Sequence, residues 1–248
     1  MADSSAGRHA FTRRDFVRLG LVAAPAAVVA GCGWDGGSAL RPALATISRG
    51  NDWVGEKILL ADTRLARQYP PSERSRMMPN YHIADETPTI ADPAAWALMV
   101  GGLVRKPVRL TLPMLQGMPR VTYTVAHHCV EGWTTVATWT GVPVRAVAAL
   151  VEPTADAAYL RFDSFDRNPQ GISYYNGWDV RSAMHPETIL AYAFNDRPLM
   201  PDHGAPVRLY SPVKLGYKLT KYLTAMTFTR ERPGGFWEDQ GYPWLGGV

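Results

Sequence analysis

Cysteine is scarce in this chain, which has only two cysteines among its 248 residues, Cys32 and Cys129. There is no cysteine set for an iron–sulfur cluster and no Cys-x-x-Cys-His sequence for heme attachment. The paired Cys-x-x-Cys and His-Glu-x-x-His spacings that mark many zinc sites are also missing from the sequence. These absences exclude covalent heme, iron–sulfur clusters and the common zinc motifs.

Charge is also sparse, because charged residues make up only 19% of the chain and the formal net charge is +4. Residues 1–31 carry four arginines and two aspartates, so half of the net positive charge lies at the N-terminus. No Lys/Arg stripe follows, and we therefore expect no nucleic-acid partner. The 20 prolines and 22 glycines are spread along a chain that is 46% hydrophobic, which favours a strand-rich, loop-rich globular fold.

The N-terminus has no apolar run long enough for a stable membrane span, but it resembles a twin-arginine export signal. Arg13 and Arg14 precede the modestly apolar stretch 19–30, and Cys32 follows in a sequence that resembles a bacterial lipobox. We expect export to the periplasm or cell envelope, with lipid anchoring at Cys32; a plain cleavage site with an incidental cysteine is the alternative. Because twin-arginine export carries folded proteins, this signal predicts a cofactor.

The remaining sequence predicts one mainly β, mixed-sheet α+β domain without internal repeats. We assign residues 1–32 to the signal, 33–75 to a tether with a helical stretch near 56–68, 76–233 to the domain and 234–248 to a tail. A hairpin turn is predicted at 195–198. The predicted strands are Ala97–Val100, Val108–Thr111, Val121–His127, Tyr159–Phe162, Ile189–Phe194, Val207–Tyr210 and Tyr222–Thr229, and the predicted helices are Leu112–Gln116, Val144–Val151 and Val180–Met184.

Cys129 is the only cysteine left if Cys32 is lipidated, so no disulfide can form within the mature chain. A buried structural cysteine is one interpretation of such a thiol. However, the predicted strand 121–127 delivers Cys129 at its end, where functional residues often lie. A thiolate is a soft donor that suits a polarizable metal, and His127 and His128 stand directly before it.

Several short motifs follow one another along the chain in a fixed order. They are 92–96, Cys129-Val-Glu-Gly-Trp133, Trp139-Thr-Gly-Val-Pro-Val144, Ala183-Met-His-Pro-Glu-Thr188, Gly204-Ala-Pro-Val-Arg-Leu209, Lys214-Leu-Gly-Tyr-Lys218 and Thr229-Arg-Glu-Arg-Pro233. This series resembles the sulfite-oxidase family of molybdenum–pterin enzymes over roughly residues 78–233. Within that family, it is most similar to bacterial periplasmic methionine-sulfoxide reductase catalytic subunits.

The resemblance implies a Mo-molybdopterin cofactor, one molybdenum per chain, with Cys129 as the catalytic metal ligand. For the pterin phosphate, Arg208 offers a planar cationic fork and Lys218 a point charge. Gly216 lets the main chain approach without a Cβ, and Tyr217 lies between Gly216 and Lys218.

Further cofactor contacts follow from the same resemblance. Asn80 aligns with an early pterin-contacting asparagine, and Tyr81 and His82 follow it. Ser164 stands where the relatives have threonine, and either hydroxyl can hydrogen-bond the cofactor. His203 replaces an asparagine and can still donate to the pterin.

Two other interpretations use the same residues. A zinc enzyme could draw on the histidines and Cys129, but adjacent strand residues such as His127 and His128 point to opposite faces. A non-enzymatic lipoprotein could bind a small solute with Trp133, Trp139 and Trp178 and neighbouring tyrosines.

The predicted reaction is oxygen-atom transfer, in the direction of sulfoxide reduction, with sulfite oxidation as the alternative. Arg167, Arg181 or a charged His128 would supply the anion pocket that sulfite needs. Electrons must come from a separate protein because the chain has no carrier of its own, and the resemblance implies a membrane b-type cytochrome. We expect a monomer.

Overall fold

The computed structural model describes residues 46–47, 50, 52–54, 65–90 and 92–248. Residues 48–248 form one compact unit. A separate unit comprises residues 1–47, of which only 46–47 are described, in helical conformation. The predicted export signal and Cys32 lie outside the described residues.

Ten strands and three short α-helices follow one another in the described part of the chain. They are β1 (Ala97–Gly102), β2 (Val108–Thr111), α1 (Leu112–Gln116), β3 (Val121–His128), β4 (Thr134–Pro143), α2 (Val144–Val151), β5 (Tyr159–Arg167), β6 (Ser173–Asp179), α3 (Val180–Ala183), β7 (Ile189–Phe194), β8 (Arg197–Pro198), β9 (Arg208–Tyr210) and β10 (Leu223–Thr229). All seven predicted strands and all three predicted helices are present, with small shifts at their ends. The mainly β, α+β fold is therefore confirmed.

The strands form two five-stranded sheets. The first has the order β2-β1-β10-β5-β6, and the second has the order β3-β4-β7-β8 with β9 paired to β7. Only β1 and β10 run parallel; every other pair is antiparallel. The predicted hairpin joins β7 to β8, and both Asn195 and Asp196 have positive φ angles, 49° and 64°, as its tight turn requires.

Strands β4 and β6 were missed by the sequence analysis because neither shows polar–apolar alternation. In β4 most side chains are buried on both faces, and in β6 the residues from Tyr174 to Trp178 include four buried ones. A strand covered on both sides loses the period of two that identifies a half-exposed strand. Their Gly, Asn and Pro residues also favour turns over strands.

The two short helices that flank the first sheet begin at polar caps. The Thr111 hydroxyl accepts the amide of Met114 at the start of α1, which has Pro113 in its first turn. The Asp179 carboxylate accepts the amide of Ser182 at 2.7 Å at the start of α3. Both caps follow directly after a strand, so they turn the chain out of the sheet.

The hydrophobic core joins buried side chains from both sheets in one cluster. Leu98 and Phe162 come from the first sheet, whereas Trp139 and Leu190 come from the second, and all four are fully buried. The Trp139 ring stacks on Tyr210 with ring centroids 4.1 Å apart. Each fully buried side chain of this size contributes about 1.5–3 kcal/mol to the fold.

An extended segment before the domain covers the free edge of β3. Gln68 pairs with Val125 in an isolated bridge, and the amide of Tyr69 donates to the carbonyl of Thr124 at 2.9 Å. The buried carboxylate of Glu187 accepts the amide of Ala66 at 2.7 Å. The predicted helix over 56–68 is therefore wrong in its described part, 65–68, because these residues extend along a strand; the rest lies outside the described residues.

The C-terminal residues 233–245, which we name the C-terminal hook, pack against the first sheet rather than projecting from it. A Cβ added to Gly177 in β6 would stand 2.6 Å from the carbonyl oxygen of Pro233, so the hook needs glycine at this position. The indole of Trp244 donates to the same carbonyl at 2.7 Å, and its side chain is buried. The segment predicted as a tail is thus packed on the domain.

Among the described residues, none of the helices has both the length and the apolar character needed to cross a lipid bilayer.

Candidate functional site

A cavity of about 300 Å³, which we name the pocket, opens where β3 ends. Its volume lies at the lower end of the range for small-molecule sites. Five parts of the chain line it: the segment 78–83, the end of β3 with the turn after it, the β5–β6 hairpin, the region 202–221, and the C-terminal hook. The lining residues are Met78, Pro79, Asn80, Tyr81, His82, Ile83, His127, Cys129, Val130, Glu131, Trp133, Asp166, Tyr174, Asp202, His203, Arg208, Gly216, Tyr217, Leu219, Lys221, Trp237 and Tyr242.

Cys129 lies directly after β3 in a tight turn. Its amide donates to the carbonyl of Trp133 at 3.0 Å, and its carbonyl accepts the amide of Gly132, whose φ of 90° suits glycine. The thiol is half-buried and lies 3.7 Å from Glu131 Oε2, which also accepts the Trp133 indole at 3.0 Å. Burial raises the pKa of the Cys129 thiol. A metal that bound here would displace the thiol proton.

The two histidines before Cys129 are on different faces of β3, as expected from strand geometry. His127 is buried and lines the pocket, whereas the Nδ1 atom of His128 bonds the Thr134 hydroxyl at 2.9 Å outside it. Burial, aided by the charge of Arg208, lowers the pKa of His127 to about 3, so its imidazole is neutral. His127 packs between Trp133 and Tyr210, with ring centroids 5.5 Å and 5.9 Å away.

Two cations line the pocket without a salt bridge to any carboxylate in the described part of the chain. Arg208 is only 4% exposed, and its guanidinium donates to the carbonyls of His203 at 3.1 Å and Leu219 at 3.2 Å. Lys221 is half-buried and donates to the carbonyl of Asp202 at 3.0 Å. Burial of a cation without a counter-charge is costly, so this pair favours a bound anion.

The pKa values of both cations are lowered, but to different extents. Burial lowers the pKa of Arg208 to about 10, which leaves the guanidinium charged at neutral pH. Burial and then the positive charge of Arg208 lower the pKa of Lys221 to about 7. An anion in the pocket would restore the charged form of Lys221.

The segment 78–83 is held at the pocket by Asp166. Its carboxylate accepts the amides of Ile83 and Ala84, both at 3.0 Å. The imidazole Nδ1 of His82 contacts the carbonyl of Ala84 at 2.8 Å. Asp166 therefore fixes the backbone that presents the three predicted residues Asn80, Tyr81 and His82.

The structure brings eight of the ten predicted site residues into the pocket lining, but not Ser164 or Lys218. The Ser164 hydroxyl donates to the carbonyl of Lys221 at 2.7 Å and accepts the amide of Asp166, so it lies behind two lining residues. Lys218 is fully buried, donates to the carbonyl of Gly177 at 2.8 Å and pairs with Glu238. Its ammonium group therefore does not face the pocket.

Sequence reasoning missed Lys221, Asp166 and the aromatic residues Trp237 and Tyr242, whereas Tyr174 is one of the tyrosines of the solute-binding interpretation. Lys221 follows Lys218 by three residues, and no pattern in the sequence indicates which of the two faces the pocket. The hook aromatics lie beyond the matched motifs. Glu131 and Trp133 also line the pocket without having been predicted as cofactor contacts. The sequence did give a signal for these two, because they belong to the motif that contains Cys129.

These residues fit a molybdenum–pterin group in two respects. Cys129 offers a soft thiolate donor in the pocket, and Arg208 and Lys221 offer positive charge that no carboxylate neutralises. Beside them, a Cβ at Gly216 would stand 3.1 Å from His127 Nε2, so glycine leaves open the space that these two features border.

Comparison with known proteins gives the same assignment. Residues 84–237 match the oxidoreductase molybdopterin binding domain. A provisionally named protein-methionine-sulfoxide reductase subunit YedZ1 of Azospira oryzae is 36% identical over 95% of this chain and 87% of its own length. Protein-methionine-sulfoxide reductase catalytic subunits MsrP of Campylobacter jejuni and Xanthomonas axonopodis pv. citri are 30% and 36% identical over 58% of this chain.

The chain spans only about half of the two MsrP subunits, 52% and 48% of their lengths. Among solved structures, the sulfane dehydrogenase SoxCD of Paracoccus pantotrophus superposes with a TM-score of 0.52 over 58% of this chain and 40% of its own. At 21% identity, that likeness is one of fold. With the domain match and the similarity along nearly the whole chain, the protein belongs to the sulfite-oxidase family of molybdopterin oxidoreductases, whose cofactor is Mo-molybdopterin.

Proposed function

We propose that this protein is the catalytic subunit of an exported sulfoxide reductase that acts on methionine sulfoxide in proteins. The observation that supports this best is the combination in one pocket of the Cys129 thiol with two cations that lack carboxylate partners. The relatives supply the substrate class, since they are named as protein-methionine-sulfoxide reductase subunits.

Cys129 would hold the molybdenum, and Arg208 and Lys221 would hold the pterin phosphate. The backbone of 78–83, fixed by Asp166, would contact the pterin. When bound, the molybdenum–pterin group supplies two-electron oxygen-atom transfer. The neutral His127 would present a hydrogen-bonding nitrogen to it without adding charge.

The side chains of the pocket would supply the protons that the reaction needs. Reduction of a sulfoxide consumes two electrons and two protons and yields a thioether and water. Glu131 is the titratable group beside Cys129, and the Trp133 indole fixes its Oε2 atom at 3.0 Å. Glu131 would therefore be placed to deliver protons to a substrate bound beside Cys129.

The charges in the lining favour a neutral substrate over sulfite. Arg208 and Lys221 would be occupied by the phosphate, which leaves the carboxylates of Glu131, Asp166 and Asp202 in the lining. Three carboxylates repel an anion. Neither Arg167, Arg181 nor His128, the residues suggested for an anion pocket, is among the lining residues.

Electrons would come from a separate protein. The relatives are named as subunits, and two of them as catalytic subunits, which supports a partner chain. We propose that this partner is a membrane b-type cytochrome, that the chain is exported by the twin-arginine pathway as a monomer, and that a lipid at Cys32 keeps it near the membrane.

The test is turnover by molybdenum-replete protein with a reduced viologen donor. We expect reduction of peptide methionine sulfoxide and no oxidation of sulfite with an artificial acceptor. Cys129→Ser should lower turnover by more than about 100-fold, because a hard oxygen donor replaces the soft thiolate. Met114→Ala, which changes an exposed side chain outside the pocket, is the control.

Two results would contradict the proposal. Turnover of sulfite but not of sulfoxides would reassign the reaction. Wild-type turnover by Cys129→Ser, with one molybdenum per chain and unchanged thermal unfolding, would remove Cys129 from the site.

A further inference from the structure

The C-terminal hook contributes aromatic side chains to the pocket that none of the predicted cofactor contacts includes. Trp237 and Tyr242 both line the pocket, and their ring centroids are 5.2 Å apart. Trp237 also lies 6.0 Å from the ring of Tyr81, and Tyr242 lies 5.3 Å from the ring of Tyr217. These four rings form one continuous surface, which we name the aromatic wall.

The aromatic wall reaches the mouth of the pocket at Tyr81, whereas Arg208 lies deeper. Tyr81 is 60% exposed and Trp237 is half-buried, but Arg208 is only 4% exposed. A phosphate held by Arg208 and Lys221 would therefore lie away from the Tyr81 side of the wall. The exposed side remains available to a substrate.

The hook is held rigidly enough to present these rings in one arrangement. Glu238, directly after Trp237, is paired with the fully buried ammonium group of Lys218. The hydroxyl of Tyr217 donates to the carbonyl of Pro243 at 2.6 Å, and the amide of Tyr242 donates to the carbonyl of Trp237 at 3.1 Å. Lys218 and Glu238 are thus positioning residues for the wall.

We infer that the aromatic wall is the specificity-determining surface for the organic part of the sulfoxide, binding the S-methyl group and the CH₂ stem of a peptide methionine sulfoxide. This inference rests on the proposed function and names residues for its substrate. Aromatic faces bind apolar groups, and the S-methyl group and the CH₂ stem are the apolar parts of a methionine sulfoxide side chain. A small sulfoxide such as dimethyl sulfoxide has no CH₂ stem and gains less from the wall.

The test separates binding from turnover, using the molybdenum-replete protein. Binding is measured by fluorescence polarisation with a labelled peptide that contains methionine sulfone, which cannot be reduced by a sulfoxide reductase. Turnover is measured with the corresponding sulfoxide peptide and with dimethyl sulfoxide.

For Trp237→Ala we expect about tenfold weaker binding of the sulfone peptide and about a tenfold loss of kcat/KM for the sulfoxide peptide, mainly through KM. The kcat/KM for dimethyl sulfoxide should change by less than about threefold. Trp237→Phe should retain most of the peptide binding. Trp53→Ala is the matched control, because Trp53 is 61% exposed and does not line the pocket.

Unchanged peptide binding by Trp237→Ala, or equal losses with both substrates, would overturn the inference. If Trp237→Ala loses molybdenum or fails to fold, Tyr81→Ala decides instead, because its side chain is exposed; about threefold weaker peptide binding supports the wall and no change overturns it. Wild-type protein that binds the sulfone peptide through Trp237 but reduces no sulfoxide would leave the wall in place and refute the proposed reaction.

Discussion

Two pairs of cations lie within the region 208–221, and they differ in whether a carboxylate forms an ion pair with them. Lys214 and Lys218 are almost completely buried and face carboxylates, Asp179 at 3.5 Å and Glu238. Arg208 and Lys221 form no ion pair with a carboxylate in the described part of the chain; both donate to backbone carbonyls instead.

The comparison teaches that burial of a cation does not by itself indicate its role. A cation paired with a carboxylate contributes to the fold, whereas a desolvated cation without one indicates where an external anion binds. If this is right, removing a member of the first pair should weaken the fold, and removing a member of the second should weaken cofactor retention.

The largest effect is expected for Lys218→Met. The free energy of unfolding should fall by about 3–5 kcal/mol, because the carboxylate of Glu238 would remain buried without a counter-charge. Urea denaturation of the purified protein measures this loss. The double variant Lys218→Met/Glu238→Leu should recover most of the stability, and a single variant as stable as wild type would contradict the assignment of this pair to the fold.

Arg208→Met should have the opposite pattern of effects, with a small loss of stability and a large loss of cofactor retention. The protein without cofactor should lose only about 1–2 kcal/mol of stability, since two carbonyls lose their donor. Retention of the pterin should fall by about 100-fold, because charge-assisted hydrogen bonds to phosphate are lost. Molybdenum and pterin content after dialysis measures the effect.

Arg197→Met, which changes an exposed arginine in β8, should retain the full cofactor content. Equal retention by both variants would show that Arg208 does not bind the phosphate.

Lys221 makes the comparison dependent on pH. Its pKa is about 7 in the folded chain, below the value of about 10.4 for an unfolded lysine, so the unfolded state binds more protons between these values. The stability of cofactor-free protein relative to Lys221→Met should therefore rise with pH from about 7 upward, by about 1 kcal/mol per pH unit. Urea denaturation at pH 6.5 to 9.5 tests this, and a difference that does not vary with pH would contradict the lowered pKa of Lys221.

Much of the fold could be predicted from the sequence because it depends on local patterns. Half-buried strands such as β2 and β10 alternate apolar and polar residues, and α1 begins at a threonine cap with Pro113 in its first turn. The pattern fails where both faces are covered, as in β4 and β6. It also fails at 65–68, where pairing with β3 overrides helical composition.

The candidate site also contains residues that local sequence patterns could predict and residues that they could not. Cys129 could be predicted because it lies in a contiguous motif after a strand. Lys221 and Trp237 could not be predicted, because their orientation toward the pocket depends on contacts with residues far away in the sequence. Lys218 and Lys221 illustrate this limit of sequence-based prediction. They are three positions apart, yet Lys218 forms a buried ion pair and Lys221 lines the pocket.

The segment that covers β3 has a consequence for the self-association of this protein. β3 is the terminal strand of its sheet, and residues 68 and 69 occupy part of the backbone edge that it would otherwise offer to another chain. A chain that began at residue 76, the predicted start of the domain, would leave that edge bare. Such a truncation should aggregate through β3 at concentrations where the longer chain stays dispersed. Residues 68 and 69 would then act as a guard on the edge of β3, in addition to their part in the fold.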